Sequence, residues 1–146
     1  MSLDIRHAVD LNTPADDIWR ILTDFNRWPE WRAGGGGISG RLAPGRTLQV
    51  SVPAETPKPG VRKFRVAVIH FHEGCSFGWR GTTRDPAPGV GFHSFFVQPL
   101  SQGCRFHEYE RIEGRLAEGA LGQTVAQHQH ASFEQSVIGL QRLLNR

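Results

Sequence analysis

The chain has 146 residues, the usual size of one domain, and a formal net charge of +3 carried by 15 arginines and 2 lysines against 14 acidic residues. The arginines are scattered, and several stand beside acids, as between Glu108 and Arg115. Binding to phosphates needs clustered cations, so this pattern excludes a nucleic-acid-binding protein. No apolar run reaches the length of a transmembrane helix, which excludes an integral membrane protein of that kind.

The cysteines and the N-terminal segment indicate a compartment. Cys75 and Cys104 are the two cysteines, too few for a disulfide framework and typical of free thiols under reducing conditions. The first eleven residues lack the basic start and continuous apolar stretch of a signal peptide. We therefore expect a cytoplasmic protein.

The first elements follow from alternation and helix signals. Residues 3–11 alternate apolar and polar side chains, which predicts a half-buried strand. Thr13 is a candidate cap and Pro14 suits the first helical position, so a short amphipathic helix is predicted over residues 14–24. Pro29 then breaks or restarts the helix between two tryptophans.

The middle of the chain is a series of strand-like runs. Gly34 to Gly37 precede it and lack the Gly-Lys-Ser/Thr ending of a phosphate-binding loop, so we interpret them as an entry to a strand. Turn residues cut the following segment at regular intervals, including 56–60 and 85–89, which predicts an antiparallel meander. The predicted strands cover residues 38–42, 46–54, 62–72, 75–83, 90–99 and 104–113.

A long helix is predicted at the C-terminal end. Over residues 121–145, apolar side chains recur mostly three or four positions apart, and such a helix would be about 37 Å long. A sheet of about seven strands cannot hide its apolar face alone. We therefore predict an α+β fold in which a curved antiparallel sheet grips this helix around a cavity. The predicted buried stripe consists of Val125, Phe133, Val137, Leu140 and Leu144.

Three sequence segments carry a resemblance to a known superfamily. They are DIWRILTDFNRWPEW at 17–31, FGWRG at 77–81 and GCRFHEYERIEGRL at 103–116. Together, in this order, they resemble the START-like (SRPBCC) superfamily, whose members include polyketide cyclase/dehydrase-like proteins and share the helix-grip fold. The resemblance implies a single START-like domain over residues 1–146 with an internal ligand cavity.

The resemblance leaves three functions open, since fold-level analogy does not choose a reaction. The first is binding of an apolar small molecule, such as a lipid, an aromatic or a polyketide-like compound. The second is an enzyme of the cyclase or dehydrase kind. The third is a protein-interaction module of the chaperone-activator branch, which acts through its outer surface.

The strand at 104–113 contains the first candidates for chemistry. Alternation places Phe106, Glu108, Glu110 and Ile112 on one face, which we expect to line the cavity. A carboxylate among apolar groups is costly unless it is paired, and its pKa rises. Glu108 and Glu110 are therefore candidates for a general acid or an anchor for a ligand hydroxyl. The alternative is a surface ladder or a structural pair with arginine.

The alternation of side chains along residues 90–99 does not decide which face of this strand points toward the cavity, because both faces carry aromatic side chains. The resemblance favours His93, Phe95 and Val97, which makes His93 a third candidate for proton transfer. Tryptophans and phenylalanines are most often core, but they also line ligand cavities. The predicted ligand-binding residues are Trp79, Phe95, Phe106, Ile112, Phe133, Trp28 and Trp31.

The remaining histidines do not predict a metal centre. His70 and His72 share a strand face, but His128 and His130 are two positions apart on a helix and point in different directions. No carboxylate or thiol stands at a matching spacing. We expect no metal and no cofactor, with an apolar small molecule as the partner. The oligomeric state stays open, with a homodimer as one option.

Overall fold

Seven strands of the described chain form one antiparallel sheet in the order β1-β7-β6-β5-β4-β3-β2. The computed structural model describes residues 2–53, 61–84 and 87–146. This confirms the predicted curved sheet with its long C-terminal helix. The strands are β1 (Ser2–Leu11), β2 (Gly37–Ser39), β3 (Thr47–Pro53), β4 (Val61–His72), β5 (Ser76–Thr83), β6 (Gly89–Pro99) and β7 (Cys104–Gly114).

The helices are α1 (Ala15–Thr23), α2 (Trp28–Trp31) and α3 (Gly119–Leu144). Three 3₁₀ turns, at Phe25–Arg27, Ala33–Gly35 and Arg115–Ala117, accompany them. The predicted Thr13 cap is wrong, because Pro14 occupies the N-cap position and no side chain caps α1. Asp16 and Asp17 lie in its first turn, where the positive end of the helix dipole favours acids.

Four predicted segments differ from the structure or fall at least partly outside its described residues. The strand predicted over 38–42 ends at Ser39, because Gly40 turns the chain with a φ of +121°. A Cβ at Gly40 would also lie 2.9 Å from Leu48 Cδ2. The turn predicted at 56–60, residue 54 of the third predicted strand and part of the turn at 85–89 lie outside the described residues.

Helix α3 packs across the sheet through its C-terminal half. Phe133 and Leu140 of the predicted stripe are buried, whereas Val137 is half-buried. Leu143, rather than the predicted Leu144, is the buried leucine of the last turn, so the stripe ends one residue earlier than predicted. Gly139 permits close packing on α2, since a Cβ there would be 2.3 Å from the Trp31 carbonyl oxygen.

The packed core occupies one end of the concave sheet face. Aromatic side chains fill it, with Phe77 and Phe95 5.1 Å apart between ring centroids and Trp28 5.6 Å from Phe95. Helix α1 contributes Ile18 and Leu22 to the same cluster. Burial of such side chains is the main source of stability in a domain of this size.

Candidate functional site

A cavity of about 510 Å³ occupies the other end of the concave face. Its volume lies within the range of small-molecule sites. Residues from β3, β4, β5, β6 and β7 form one wall, and the segment 32–37 forms another. The middle of α3 supplies His128, Gln129, Ala131, Ser132 and Gln135. Most of the strand residues in the wall are apolar or glycine, and a small set of polar groups converges on them.

Glu108 forms a buried ion pair with Arg32 beside the cavity. Both carboxylate oxygens are engaged: Nη1 of Arg32 donates to Oε1, and Nη2 donates to Oε2 at 3.1 Å. The side chains are 5% and 12% exposed, respectively. The guanidinium also lies over the ring of Trp28, with its carbon 5.3 Å from the ring centroid. This two-pronged geometry is the strong form of an arginine–carboxylate interaction.

This pairing determines the charge of Glu108. Burial alone would raise the pKa of a carboxyl, but the Arg32 guanidinium and the His93 ring outweigh burial and hold the pKa of Glu108 well below its usual range. Glu108 is therefore ionised at neutral pH, and Arg32 occupies both of its oxygens. It corresponds to the structural arginine pair that the sequence analysis left open as an alternative.

Glu110, two residues along the same face of β7, has a different environment. Its Oε2 is buried and has no hydrogen-bond partner among the described residues. Nδ1 of His93 is 3.9 Å away from this oxygen. Nε2 of the same ring lies 3.3 Å from Glu108 Oε2 but outside hydrogen-bonding geometry. His93 thus stands between the two carboxyl groups.

The pKa of Glu110 is raised. Burial is the largest cause and the negative charge of Glu108 adds to it, while His93, Arg32 and His128 act in the opposite direction and do not cancel it. A carboxyl group with a raised pKa keeps its proton to higher pH and can donate a hydrogen bond. The cavity wall therefore presents a carboxyl group with a raised pKa beside an imidazole.

The structure divides the sequence-predicted site residues between the cavity and the core. Trp28, Trp79, His93, Glu110 and Ile112 line the cavity. The remaining candidates are buried in the packed core and are not among the described lining residues; they are Trp31, Phe95, Phe106 and Phe133, with Glu108 behind the wall in its pair with Arg32. Whether any of these residues contacts a ligand stays a prediction.

Sequence reasoning missed Arg32 and two strand glycines of the wall. Arg32 follows α2 directly and meets Glu108 76 positions away, a distance at which no local pattern operates. Gly81 and Gly91 stand opposite each other on β5 and β6 and both line the cavity. A glycine inside a strand run is the signal that could have marked them.

Neither a cluster of metal ligands nor a membrane-spanning helix is found among the described residues. Within residues 2–53, 61–84 and 87–146, no group of three or more His, Cys, Asp or Glu side chains is arranged to hold a metal ion. No helix in the same ranges is long and apolar enough to cross a membrane.

An antiparallel sheet that closes over a long C-terminal helix and leaves an internal cavity defines the helix-grip, or START-like, class. Within that class, residues 2–144 match the family model described as "Polyketide cyclase / dehydrase and lipid transport". The chain therefore belongs to this family. No curated protein matches the sequence significantly.

Solved structures share the fold at low sequence identity. Protein CV1439 from Chromobacterium violaceum superposes with a TM-score of 0.76 at 16% identity, covering 98% of this chain and 97% of that one. Protein NE0264 from Nitrosomonas europaea gives 0.72 at 19%, covering 98% and 94%. The di-domain ARO/CYC StfQ from the steffimycin biosynthetic pathway gives 0.65 at 14%, covering 98% of this chain and 49% of that one.

Proposed function

We propose that the protein binds an apolar small molecule in the cavity and holds one polar group of that molecule at Glu110 and His93. The observation that carries this proposal is the buried Glu110 Oε2, which has no hydrogen-bond partner among the described residues. Buried polar atoms are nearly always satisfied, and an exception calls for an explanation. A ligand hydroxyl or carbonyl would provide the missing partner.

The family description and one structural neighbour support this class of ligand. The family includes lipid transport as well as polyketide cyclases, and StfQ is described as an ARO/CYC protein of a biosynthetic pathway. The aromatic wall of Trp28 and Trp79 suits an apolar body. The Arg32–Glu108 pair carries no net charge, so a neutral polar group matches the site better than an ion.

Binding of an apolar fluorescent dye tests the proposal. We expect one dye molecule per chain, with a change in the fluorescence of Trp79. Ser132 lines the cavity from α3, so Ser132→Trp should fill part of the space that the dye needs. We expect this variant to bind the dye at least about tenfold more weakly. The matched control, Gln127→Trp, adds the same ring to the exposed side of the helix and should leave binding unchanged. Equal effects of the two variants would contradict the cavity as the binding site.

A second function, proton-transfer catalysis, is favoured by the pairing of Glu110 with His93. A protonated Glu110 could donate a hydrogen bond to a carbonyl oxygen while His93 removes a proton from the adjacent carbon. Deuterium exchange into α-tetralone, an enolisable ketone, would measure this activity. An enzyme should lose about 10²–10⁴-fold in rate on Glu110→Gln. A carrier should show no exchange above the rate in buffer. In a carrier, Glu110→Gln should change the free energy of dye binding by no more than about 1–2 kcal/mol.

The third option, a protein-interaction module, has no comparable observation behind it. Such a module needs a contiguous exposed apolar patch. Among the described residues, the exposed large hydrophobic side chains are Ile69 on β4 and Ile138 on α3. The cavity therefore carries the proposed function.

A further inference from the structure

Two glycines face each other across β5 and β6 on the cavity side of the sheet. Gly81 pairs directly with Gly91 in the register of the two strands, and both line the cavity. Glycine inside a strand is unfavourable, because it loses more backbone entropy than other residues and has no side chain to pack. It is found there when a bulge, a bend or a close approach of another group requires it.

Packing inside the protein explains Gly81 but not Gly91. A Cβ at Gly81 would lie 2.9 Å from Cγ1 of Val66, which is closer than side chains tolerate. A Cβ at Gly91 would meet only one described atom within 4 Å, Oε1 of Glu110 at 3.9 Å, an ordinary contact distance. Gly91 is also absent from the glycines with positive φ, so its backbone conformation accepts any residue. Neither backbone geometry nor the described neighbours requires a glycine at 91.

The missing side chain at Gly91 leaves a hollow in the cavity floor. Val66 and Ile112 flank the pair on the outer strands of the same row. Three inter-strand spacings separate these two residues, or about 14 Å. Trp79 and His93 stand in the next row, two residues along each strand. The Val66 side chain overhangs Gly81, whereas the backbone at Gly91 is bare on the cavity side.

We propose that Gly91 is a specificity-determining residue: the bare backbone at Gly91 seats the flat face of a planar ring beside Glu110. This inference rests on the proposed function, since it names the shape of the molecule that the cavity binds. The site then favours a planar ring with a hydroxyl or carbonyl over a flexible chain that bears the same group.

Contact geometry is the physical reason for this preference. A planar ring can lie at van der Waals distance from the backbone over its whole face, and many weak contacts then add up. Its edge can meet the Trp79 ring, an arrangement that aromatic pairs prefer. A substituent on the ring could reach Glu110, because no side chain at Gly91 stands between the floor and that carboxyl. The Cβ position of Gly91 lies 3.9 Å from Glu110 Oε1. A flexible chain gains fewer of these contacts and loses rotational freedom when it binds.

Calorimetric titration with three alcohols tests the inference. β-Naphthol is planar, decahydro-β-naphthol has the same skeleton but is puckered, and n-decanol is a flexible chain with the same number of carbons. We expect β-naphthol to bind about tenfold or more tightly than either of the others. Gly91→Val should remove that advantage by weakening β-naphthol about ten- to hundredfold, with a smaller effect on decanol. Gly91→Ala should have the same effect in a milder form.

Controls separate the hollow from the cavity as a whole. Ala131→Leu adds three carbons on the α3 side of the cavity and should weaken all three alcohols by similar factors, because it reduces the cavity volume without covering the floor at Gly91. Both Gly91 variants should melt no lower than the wild type, because alanine and valine suit strands better than glycine.

Each contrary result has its own meaning. Equal affinity of the wild type for all three alcohols would overturn the inference while leaving the proposed function intact. The same conclusion would follow if Ala131→Leu removed the advantage of β-naphthol as completely as Gly91→Val does. If the wild type bound neither the alcohols nor the apolar dye, the proposed function would fail and the inference with it.

Discussion

The two ends of the concave sheet face have the same strands and the same side-chain parity, but they differ in what covers them. At one end, Phe77, Phe95 and Phe106 are fully buried under α1, α2 and the C-terminal half of α3. At the other end, glycines and smaller side chains leave the cavity. Facing inward is therefore not sufficient to fill a core, because the covering helices decide which inward residues pack and which line a cavity.

Glu108 and Glu110 lie where these two ends meet. Glu108 is on the packed side and is paired with Arg32, whereas Glu110 is on the cavity side with an unsatisfied oxygen. Two carboxyl groups on one strand face thus differ in acidity: the pKa is lowered for Glu108 and raised for Glu110. Pairs of titratable groups whose pKa values are pushed apart are typical of sites that bind or transfer protons.

Phenylalanine truncation at the two ends should give the largest contrast. Phe95→Ala in the packed end should lower the free energy of unfolding by about 3–5 kcal/mol, because it leaves a closed void. Phe64→Ala, at a half-buried wall of the cavity, should cost less than half as much, since one side of the ring borders open space. Urea denaturation measures both. Equal losses would mean that the two ends are packed alike.

Breaking the Arg32–Glu108 pair should have an effect of similar size. Glu108→Gln leaves the buried guanidinium without its counter-charge and should cost about 3–5 kcal/mol. The double variant Arg32→Met/Glu108→Leu removes both charges and should cost less than the single change, as buried ion pairs replaced by apolar groups do. Urea denaturation measures both variants, and a double variant that lost as much stability as Glu108→Gln would contradict this account of the pair.

The packing of α3 provides a somewhat smaller effect. Leu140 is 2% exposed, and Leu140→Ala should lower the free energy of unfolding by about 2–5 kcal/mol. Ile138 is 50% exposed on the same helix, and Ile138→Ala should change stability by less than about 0.5 kcal/mol. Thermal and urea unfolding of the two variants measure this difference. A loss below about 0.5 kcal/mol for Leu140→Ala would contradict the position of α3.

These contrasts also show how far sequence reasoning reached. Alternation along 104–113 correctly placed Glu108 and Phe106 inside with Glu110 and Ile112, because strand parity is a local property. The same reasoning could not separate packed Phe95 and Phe106 from Ile112 in the cavity wall, since coverage by α1 and α3 is a tertiary property. Arg32 was missed for the same reason: its partner is distant in sequence.

The smallest expected effect is a pH dependence of opposite sign for the two carboxyl groups. Because the pKa of Glu110 is raised in the folded chain, proton binding to this carboxyl stabilises the fold. The stabilisation is complete below the unfolded-state pKa of about 4.3 and is lost as pH rises through the folded-state pKa. The lowered pKa of Glu108 stabilises the fold above that value, and its contribution is lost at lower pH. Relative to the wild type, Glu110→Gln should therefore become more stable as pH rises from about 4 to 8.

Denaturation midpoints across this pH range measure the dependence. Over the same range, Glu108→Gln should remain less stable than the wild type, and its deficit should shrink only on acidification below about pH 4. A stability difference between Glu110→Gln and the wild type that does not change with pH would show that Glu110 titrates alike in the folded and unfolded chains.

Carbon NMR titration of carboxyl-labelled glutamate side chains tests the central claim most directly, with Glu108→Gln and Glu110→Gln to assign the two signals. We predict that Glu110 titrates above the ordinary glutamate range and Glu108 below it. Addition of the apolar dye should then shift the titration of Glu110 and leave that of Glu108 in place. Titration of both groups in the ordinary range, or a dye-induced shift at Glu108 alone, would contradict the assignment of Glu108 to the structure and Glu110 to the ligand.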